Sequence, residues 1–82
     1  MPEATLLDAR GLKCPMPIIQ AKKRMDALPA GAVLKVVSTD PGSVLDFRGW
    51  VKSGAAYDLL GQEEGIDDQG RRTFIHLLRK KA

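Results

Sequence analysis

Residues 10–17, Arg10-Gly11-Leu12-Lys13-Cys14-Pro15-Met16-Pro17, lie at the junction between a short apolar run and the first helical pattern. They contain the only cysteine of the chain, followed by two prolines that flank one residue. Proline is favoured in the first turn of a helix, because its missing N–H would have no partner there and its fixed φ suits the turn. Pro15 and Pro17 therefore predict the start of a helix, with Cys14 at or near the N-cap.

This position favours the thiolate form of Cys14. Unpaired backbone N–H groups and the positive end of the helix dipole stabilise an anion there, and Lys13 and Arg10 add positive charge. The competing interpretation is a buried structural cysteine, because free cysteine is among the most buried residue types. The two prolines and the neighbouring lysine favour a reactive cysteine instead.

The length of 82 residues predicts a single domain, residues 1–82, with two layers of secondary structure. No apolar run approaches the ~18 residues of a membrane span, and the N-terminus lacks the pattern of a signal peptide. A single cysteine permits no internal disulfide and no multi-cysteine zinc site, and a free thiol suits a reducing compartment. We therefore expect a cytoplasmic protein that does not bind membranes.

The charge is distributed unevenly along the chain. Thirteen basic and ten acidic residues give +3, and four of the acids lie in one late segment, residues 63–68. Without those four acids, thirteen basic and six acidic residues leave +7. This balance suits docking to an acidic protein surface or weak attraction to nucleic acid, although a solvated surface of mixed charge is also compatible with it.

The first half of the chain alternates strand and helix patterns. We predict a strand over Thr5–Ala9, a turn at Arg10-Gly11, a helix from Pro15 to about Leu28, and a strand over Ala32–Thr39. In the second strand Lys35 should face water. The residues expected to face the core in these elements are Ile18, Ala21, Met25, Leu28, Leu34 and Val36.

In the second half, Asp40-Pro41-Gly42-Ser43 predicts the start of a helix that runs to about Ser53 and ends at Gly54. Its apolar face contains Val44, Phe47 and Val51, with Trp50 at the edge. The remaining segments are a strand over Tyr57–Gln62, a polar hairpin loop over Glu63–Gly70, a strand over Arg71–Arg79 whose inner face the pattern leaves unassigned, and a frayed tail over Lys80–Ala82.

The predicted order is β-α-β-α-β-β, in the α/β (α+β) class. Short strands with two helices suggest a two-layer sandwich, a four-stranded mixed sheet with both helices on one face. Asp40 is expected to cap a helix, Asp46 to be solvated and Trp50 to complete the core. His76 is expected to be a strand residue rather than a ligand.

With the Cys-Pro-x-Pro stretch and this order of elements, the chain resembles the TusA/SirA-like sulfur carrier family. The resemblance covers essentially the whole chain and begins with the segment Leu7–Pro17. It continues through Asp40-Pro41, Asp46 and Trp50, and ends in Leu77-Leu78-Arg79-Lys80. The fold of that family, a two-layer α/β sandwich with a four-stranded mixed sheet, agrees with the order read from the sequence.

The resemblance implies that Cys14 accepts sulfane sulfur as a persulfide and passes it on. The donor would be a cysteine desulfurase or another sulfurtransferase, and the recipient a downstream acceptor protein. The pathways that receive sulfur from members of this family include 2-thiolation of tRNA, molybdenum cofactor metabolism and sulfur oxidation. Many tRNA-thiolation members carry an acidic residue where this chain has Met16. The resemblance therefore does not determine which of these pathways this chain serves. Gly11, Pro15 and Pro17 would set the backbone geometry, and Lys13 would support the thiolate.

We expect no cofactor, no metal and no direct nucleic-acid binding, and we expect a monomer acting as a sulfurtransferase component. The hypothesis for partner docking places an exposed apolar stripe beside Cys14. Its candidate residues are Arg10, Met16, Ile19, Lys22 and Lys23, with Arg24 as a further cation. The rival interpretations are a regulatory or interaction module with an incidental cysteine, and a selenium or redox carrier that uses the same thiol.

Overall fold

The computed structural model describes residues 5–13, 16–53 and 57–81. The predicted order of elements is confirmed. The elements are β1 (Thr5–Ala9), α1 (Met16–Asp26), β2 (Val33–Ser38), α2 (Ser43–Ser53), β3 (Tyr57–Ile66) and β4 (Arg72–Lys80). Within the described ranges, none of the helices has the length and apolar character needed to span a bilayer.

The four strands form one mixed sheet in the order β1-β2-β4-β3. β1 pairs with β2 in parallel, and β4 pairs antiparallel with both β2 and β3. A parallel neighbour requires a crossover connection, which α1 provides between β1 and β2. The predicted four-stranded mixed sheet is therefore confirmed.

Both helices pack on the same face of this sheet. Ala21 and Met25 in α1 and Phe47 in α2 are fully buried and belong to one cluster with Leu34 and Val36 of β2. The partly buried residues that pack against this cluster include Leu12, Ile18, Leu28, Trp50 and Val51. The predicted apolar face of α1 and the inward side chains of β2 are confirmed, and so is the apolar face of α2 at Phe47, Trp50 and Val51, whereas Val44 is not part of this packing.

The sequence pattern did not indicate which side chains of β4 face the core. Phe74, His76 and Leu78 are buried, and each pairs with a buried residue of β2. Ile75 and Leu77 lie on the opposite, open face and remain partly exposed. Because both faces of β4 carry apolar side chains, the pattern alone could not distinguish them.

The predicted loop over Glu63–Gly70 is wrong in its first half, because β3 continues to Ile66 and pairs with β4. The charged side chains of this extension are compatible with a strand because they stand in water. Glu64 forms an ion pair with Arg72 at 2.8 Å. The true loop is residues 67–71, where the carboxylate of Asp67 accepts backbone N–H groups from Gln69 and Arg71.

The prediction of a frayed tail from Lys80 is also wrong. The backbone N–H of Lys80 donates to the carbonyl of Ala32, its carbonyl accepts the N–H of Gly31, and its ammonium group donates to the carbonyl of Leu28. These bonds attach the end of β4 to the connection that follows α1. The predicted bounds of α1 at Leu28 and of β2 at Thr39 are slightly too long, and Gly54 and Ala82 lie outside the described residues.

His76 is a buried strand residue, as expected, and both of its ring nitrogens are hydrogen-bonded. Nε2 lies 2.9 Å from the hydroxyl of Ser43, and Nδ1 lies 3.1 Å from the amide nitrogen of Gln62. The same amide nitrogen of Gln62 also donates to the carbonyl of Val44, and the amide oxygen of Gln62 accepts a hydrogen bond from Arg48. The amide orientation is thus fixed, so Nδ1 must accept a hydrogen bond and the proton of the neutral ring must reside on Nε2.

We predict that His76 makes the protein less stable as the pH falls. Burial lowers the pKa of His76 to about 4, from 6.5 for the unperturbed group. Between these values the unfolded chain binds a proton that the folded chain does not, so acidification favours unfolding. The free energy of unfolding should fall with a slope approaching about 1.4 kcal/mol per pH unit in this window. Urea titrations at several pH values measure this slope.

The matched variant is His76→Phe, which keeps an aromatic ring next to Phe47 but cannot titrate. The rings of His76 and Phe47 are stacked with centroids 4.4 Å apart. The slope should disappear in the variant over the same pH range. An equal loss of stability in both proteins would show that other groups cause it.

Candidate functional site

The candidate site is the connection between β1 and α1, residues 10–15. Cys14 and Pro15 lie outside the described residues, whereas Lys13 and Met16 on either side are described. Met16 is the first residue of α1, and its backbone N–H donates to the carbonyl of Lys13 at 2.8 Å. The helix therefore begins two residues after Cys14 in the sequence, close to the predicted start.

The first part of this connection is a tight turn at Gly11. Gly11 has a φ of 80°, a left-handed conformation that is available to glycine without a steric penalty. Its backbone N–H donates to the hydroxyl of Thr39 at 2.9 Å. Leu12 donates to the carbonyl of Ala9 and packs against the hydrophobic core. The turn is thus held by backbone conformation, by one side-chain acceptor and by one apolar contact.

Pro17 contributes packing as well as backbone geometry. It is the second residue of α1 and is fully buried, although the sequence assigned it only to the start of the helix. Its missing N–H is tolerated because the first N–H groups of a helix have no intrahelical partner. A substitution at Pro17 would therefore affect both the first turn of α1 and the core beneath it.

An open groove of about 510 Å³ runs beside the connection. Gly11, Leu12 and Lys13 line one side, and the segment from Thr39 to Pro41 lines the other. These two segments follow β1 and β2, which are parallel and so end at the same edge of the sheet. Loops at the carboxyl ends of parallel strands commonly form binding crevices. Thr39 was missed as a site residue, although its position at the end of a predicted strand was a usable signal.

Arg10 is placed differently from the expectation that it adds free positive charge near the thiol. Its guanidinium binds the carboxylate of Asp8 through two contacts of 2.9 Å and approaches Asp67 and Asp68 at 3.5 and 3.3 Å. The hydrogen bond from Arg10 lowers the pKa of Asp8 to about 2, and the same contact raises the pKa of Arg10. Much of its charge is therefore balanced by carboxylates of the same chain.

The apolar stripe predicted on the outer face of α1 is exposed. Met16 and Ile19 retain 38% and 39% of their accessible surface, values that exclude Ile19 from the core. The nearby basic residues Lys13, Lys22, Lys23 and Arg24 are also exposed. The structure thus places apolar and basic side chains together on the helix that follows Cys14.

Asp40 occupies the predicted capping position before α2. Its carboxylate accepts the backbone N–H of Gly42 at 3.0 Å, and its carbonyl accepts the N–H of Ser43. Asp46 lies in the first turn of α2, where a negative charge is favourable. Trp50 packs against the core with its ring edge-on to Phe47, as expected.

We predict that Gly11→Ala destabilises the fold through the backbone alone. A Cβ at Gly11 would meet no atom within 4 Å, but its φ of 80° is unfavourable for alanine. The expected loss is about 1 kcal/mol of unfolding free energy, measured by urea denaturation. The matched control is Gly49→Ala in α2, where the space is also open, and it should stabilise by about 0.5–1 kcal/mol. Equal effects of the two substitutions would contradict the role given to the turn.

Comparison with known proteins places this sequence in a family. A family model described as Sulfurtransferase TusA matches residues 5–80. The sulfur carrier protein TusA of Allochromatium vinosum is 49% identical over 59 residues, 72% of this chain and 78% of that protein.

Two further relatives extend the match along the chain. The sulfur carrier protein TusA of Pseudomonas entomophila is 41% identical over 76 residues, 93% of this chain and 88% of that protein. YrkF of Bacillus subtilis is 52% identical over 82 residues, 98% of this chain, and the match spans 40% of that longer protein. From the matched residues and the order of its elements, the chain belongs to the TusA family.

Proposed function

We propose that this protein is a sulfur carrier that accepts sulfane sulfur as a persulfide on Cys14 and relays it to an acceptor protein. The observation that carries this proposal is the Cys-Pro-x-Pro stretch at the start of α1, in a chain whose relatives in the TusA family are named sulfur carrier proteins. The fold alone would not suffice, because one fold serves many functions.

The proposed chemistry is a pair of thiol–persulfide exchanges. The Cys14 thiolate attacks the outer sulfur of a donor persulfide, the S–S bond of the donor breaks, and the donor leaves as a thiolate. A new S–S bond then holds the outer sulfur on Cys14. Unloading repeats the step with an acceptor thiolate as the nucleophile, so no external oxidant or reductant is needed. Both directions require an accessible thiolate and a tolerable leaving group.

The described surroundings support a stabilised thiolate. α1 begins at Met16, two residues after Cys14, and the N-terminus of a helix favours a negative charge. Lys13 is exposed next to the cysteine in sequence and lines the groove. In the proposal Lys13 stabilises the anion, whereas Gly11, Pro15 and Pro17 fix the path of the backbone.

The proposed docking surface is the exposed stripe of Met16 and Ile19 with the basic side chains of Lys22 and Lys23. It would receive a donor or acceptor protein that presents an apolar patch surrounded by acidic residues, because opposite charges steer encounter and fix orientation. Arg10, also proposed for docking, forms an ion-pair cluster with Asp8 and Asp68 and is not an isolated cation. Complexes of this kind must release, so small interfaces are expected.

The working context follows from the same chemistry. The carrier is proposed to act as a single domain and a monomer in the cytoplasm, where reducing conditions keep a lone thiol free. The donor class is a cysteine desulfurase or another sulfurtransferase. The acceptor could serve tRNA thiolation, molybdenum cofactor metabolism or sulfur oxidation, and Met16 between the prolines leaves this choice open.

Intact mass spectrometry tests the proposal. Wild type and Cys14→Ser are each treated with inorganic polysulfide without reductant and then weighed. The wild type should gain one sulfur atom that dithiothreitol removes, and Cys14→Ser should gain none, because the variant lacks the thiol. No sulfur on the wild type would contradict the carrier function and favour an interaction module. Parallel treatment with selenodiglutathione, from which the Cys14 thiolate can take selenium as a glutathione thiolate leaves, would identify a selenium carrier.

Docking is tested by introducing negative charge into the apolar stripe. The double variant Met16→Glu/Ile19→Asp should slow sulfur transfer from whichever cysteine desulfurase or rhodanese loads the wild type by about tenfold or more, because the new carboxylates repel an acidic partner. The single-turnover transfer rate measures this effect. Loading by polysulfide, which needs no protein docking, should slow much less than transfer from the protein donor.

The control for this experiment is Leu45→Asp. Leu45 is an exposed apolar residue on α2 and retains 70% of its accessible surface. This substitution adds a negative charge to an exposed apolar position on the other helix. If the double variant transfers sulfur as fast as Leu45→Asp, the stripe is not the docking surface.

A further inference from the structure

The hydroxyl of Thr39 links the connection that contains Cys14 to the end of β2 through a hydrogen bond. It accepts the backbone N–H of Gly11 at 2.9 Å. In the described part of the connection, the other backbone N–H groups with a known acceptor donate to residues two or three positions earlier in the sequence. Arg10 is bonded by Asp8, Leu12 by Ala9 and Met16 by Lys13. The bond to Thr39 therefore ties the backbone of this connection to a distant part of the sequence, whereas the contacts of Arg10 with Asp67 and Asp68 are made by its side chain.

Thr39 is itself well anchored. It directly follows Ser38, which is fully buried and pairs with Ala9 of β1 on one side and Phe74 of β4 on the other. The next residue, Asp40, is bonded through its N–H to the hydroxyl of Ser38. The acceptor for the Gly11 N–H is thus held between a paired strand and a capped turn, whereas Gly11 is exposed.

Because Gly11 is three residues before Cys14, its position determines where the chain enters α1. We infer that Thr39 is a positioning residue for Cys14, acting through the Gly11 N–H rather than by contact with sulfur. The inference rests on the proposed function and deepens it. It states that a residue in the connection between β2 and α2 controls the reactivity of the thiol. Lys13 and Thr39 also line the same groove, so both segments share one surface.

The physical consequence concerns the acidity of the thiol. The stabilisation of an anion by a helix N-terminus falls off within about one turn, so a small displacement of the connection weakens it. Without the Thr39 hydroxyl, water replaces the acceptor and the connection samples more positions. The thiolate is then less stabilised on average, and the pKa of the thiol rises.

The test measures the rate of alkylation of Cys14 by iodoacetamide as a function of pH. Three variants are compared with the wild type. Thr39→Val keeps the shape but removes the acceptor, Thr39→Ser keeps the hydroxyl, and Thr5→Val makes the same chemical change at the opposite end of β1. Circular dichroism confirms that each protein is folded, and Thr39→Ala provides a second acceptor-free variant if Thr39→Val does not fold.

Thr39→Val should move the midpoint of the pH profile upward and slow alkylation below the midpoint by about two- to tenfold, the range expected for one lost hydrogen bond. The Gly11 amide should also exchange its proton faster. Thr39→Ser and Thr5→Val should keep the wild-type profile. A wild-type profile in the acceptor-free variant would overturn the inference. An equal shift in Thr39→Ser would also overturn it, because the methyl group rather than the hydroxyl would then matter.

The alkylation profile needs no persulfide, so the inference and the proposed function fail in different ways. If polysulfide loads the wild type but Thr39→Val has an unchanged profile, the carrier function stands and the positioning role is wrong. If the wild type accepts no sulfur, the carrier function is wrong, whatever the profiles of the Thr39 variants.

Discussion

The parallel pairing of β1 with β2 is the constraint on which the candidate site depends. Parallel neighbours end at the same edge of the sheet and require a crossover, so α1 must start at the edge where both strands finish. This brings the connection that contains Cys14 next to Thr39 and Asp40. The groove, the hydrogen bond between Gly11 and Thr39 and the start of α1 are local consequences of that topology.

In the other half of the sheet, polar residues link the hairpin of β3 and β4 to α2. His76 of β4, Ser43 of α2 and Gln62 of β3 form a buried network in which each ring nitrogen has a partner. A partly satisfied network in this position would be costly, because a buried polar group without a partner is unfavourable. The network therefore fixes the start of α2, and with it the wall of the groove formed by residues 39–41.

Much of this arrangement could be predicted from the sequence. The prolines after Cys14 indicated where α1 begins, and the alternation around Lys35 gave the inner face of β2. The extension of β3 could not be predicted, because Glu63 and Glu64 suggest a loop when their cross-strand partners are unknown. The contacts of Arg10 with Asp67 and Asp68 and the acceptor role of Thr39 join residues distant in sequence, which no local pattern encodes.

The central claim is that this protein receives sulfur from another protein and holds it on Cys14. The most direct measurement is the transfer of radiolabelled sulfur from a donor protein to this chain. The label is supplied as labelled cysteine with a cysteine desulfurase, or as labelled thiosulfate with a rhodanese. The account predicts that label moves from at least one of these donors to the wild-type chain, is released by dithiothreitol and is absent from Cys14→Ser. Label that stays on both donors, or that reaches Cys14→Ser equally, would contradict it.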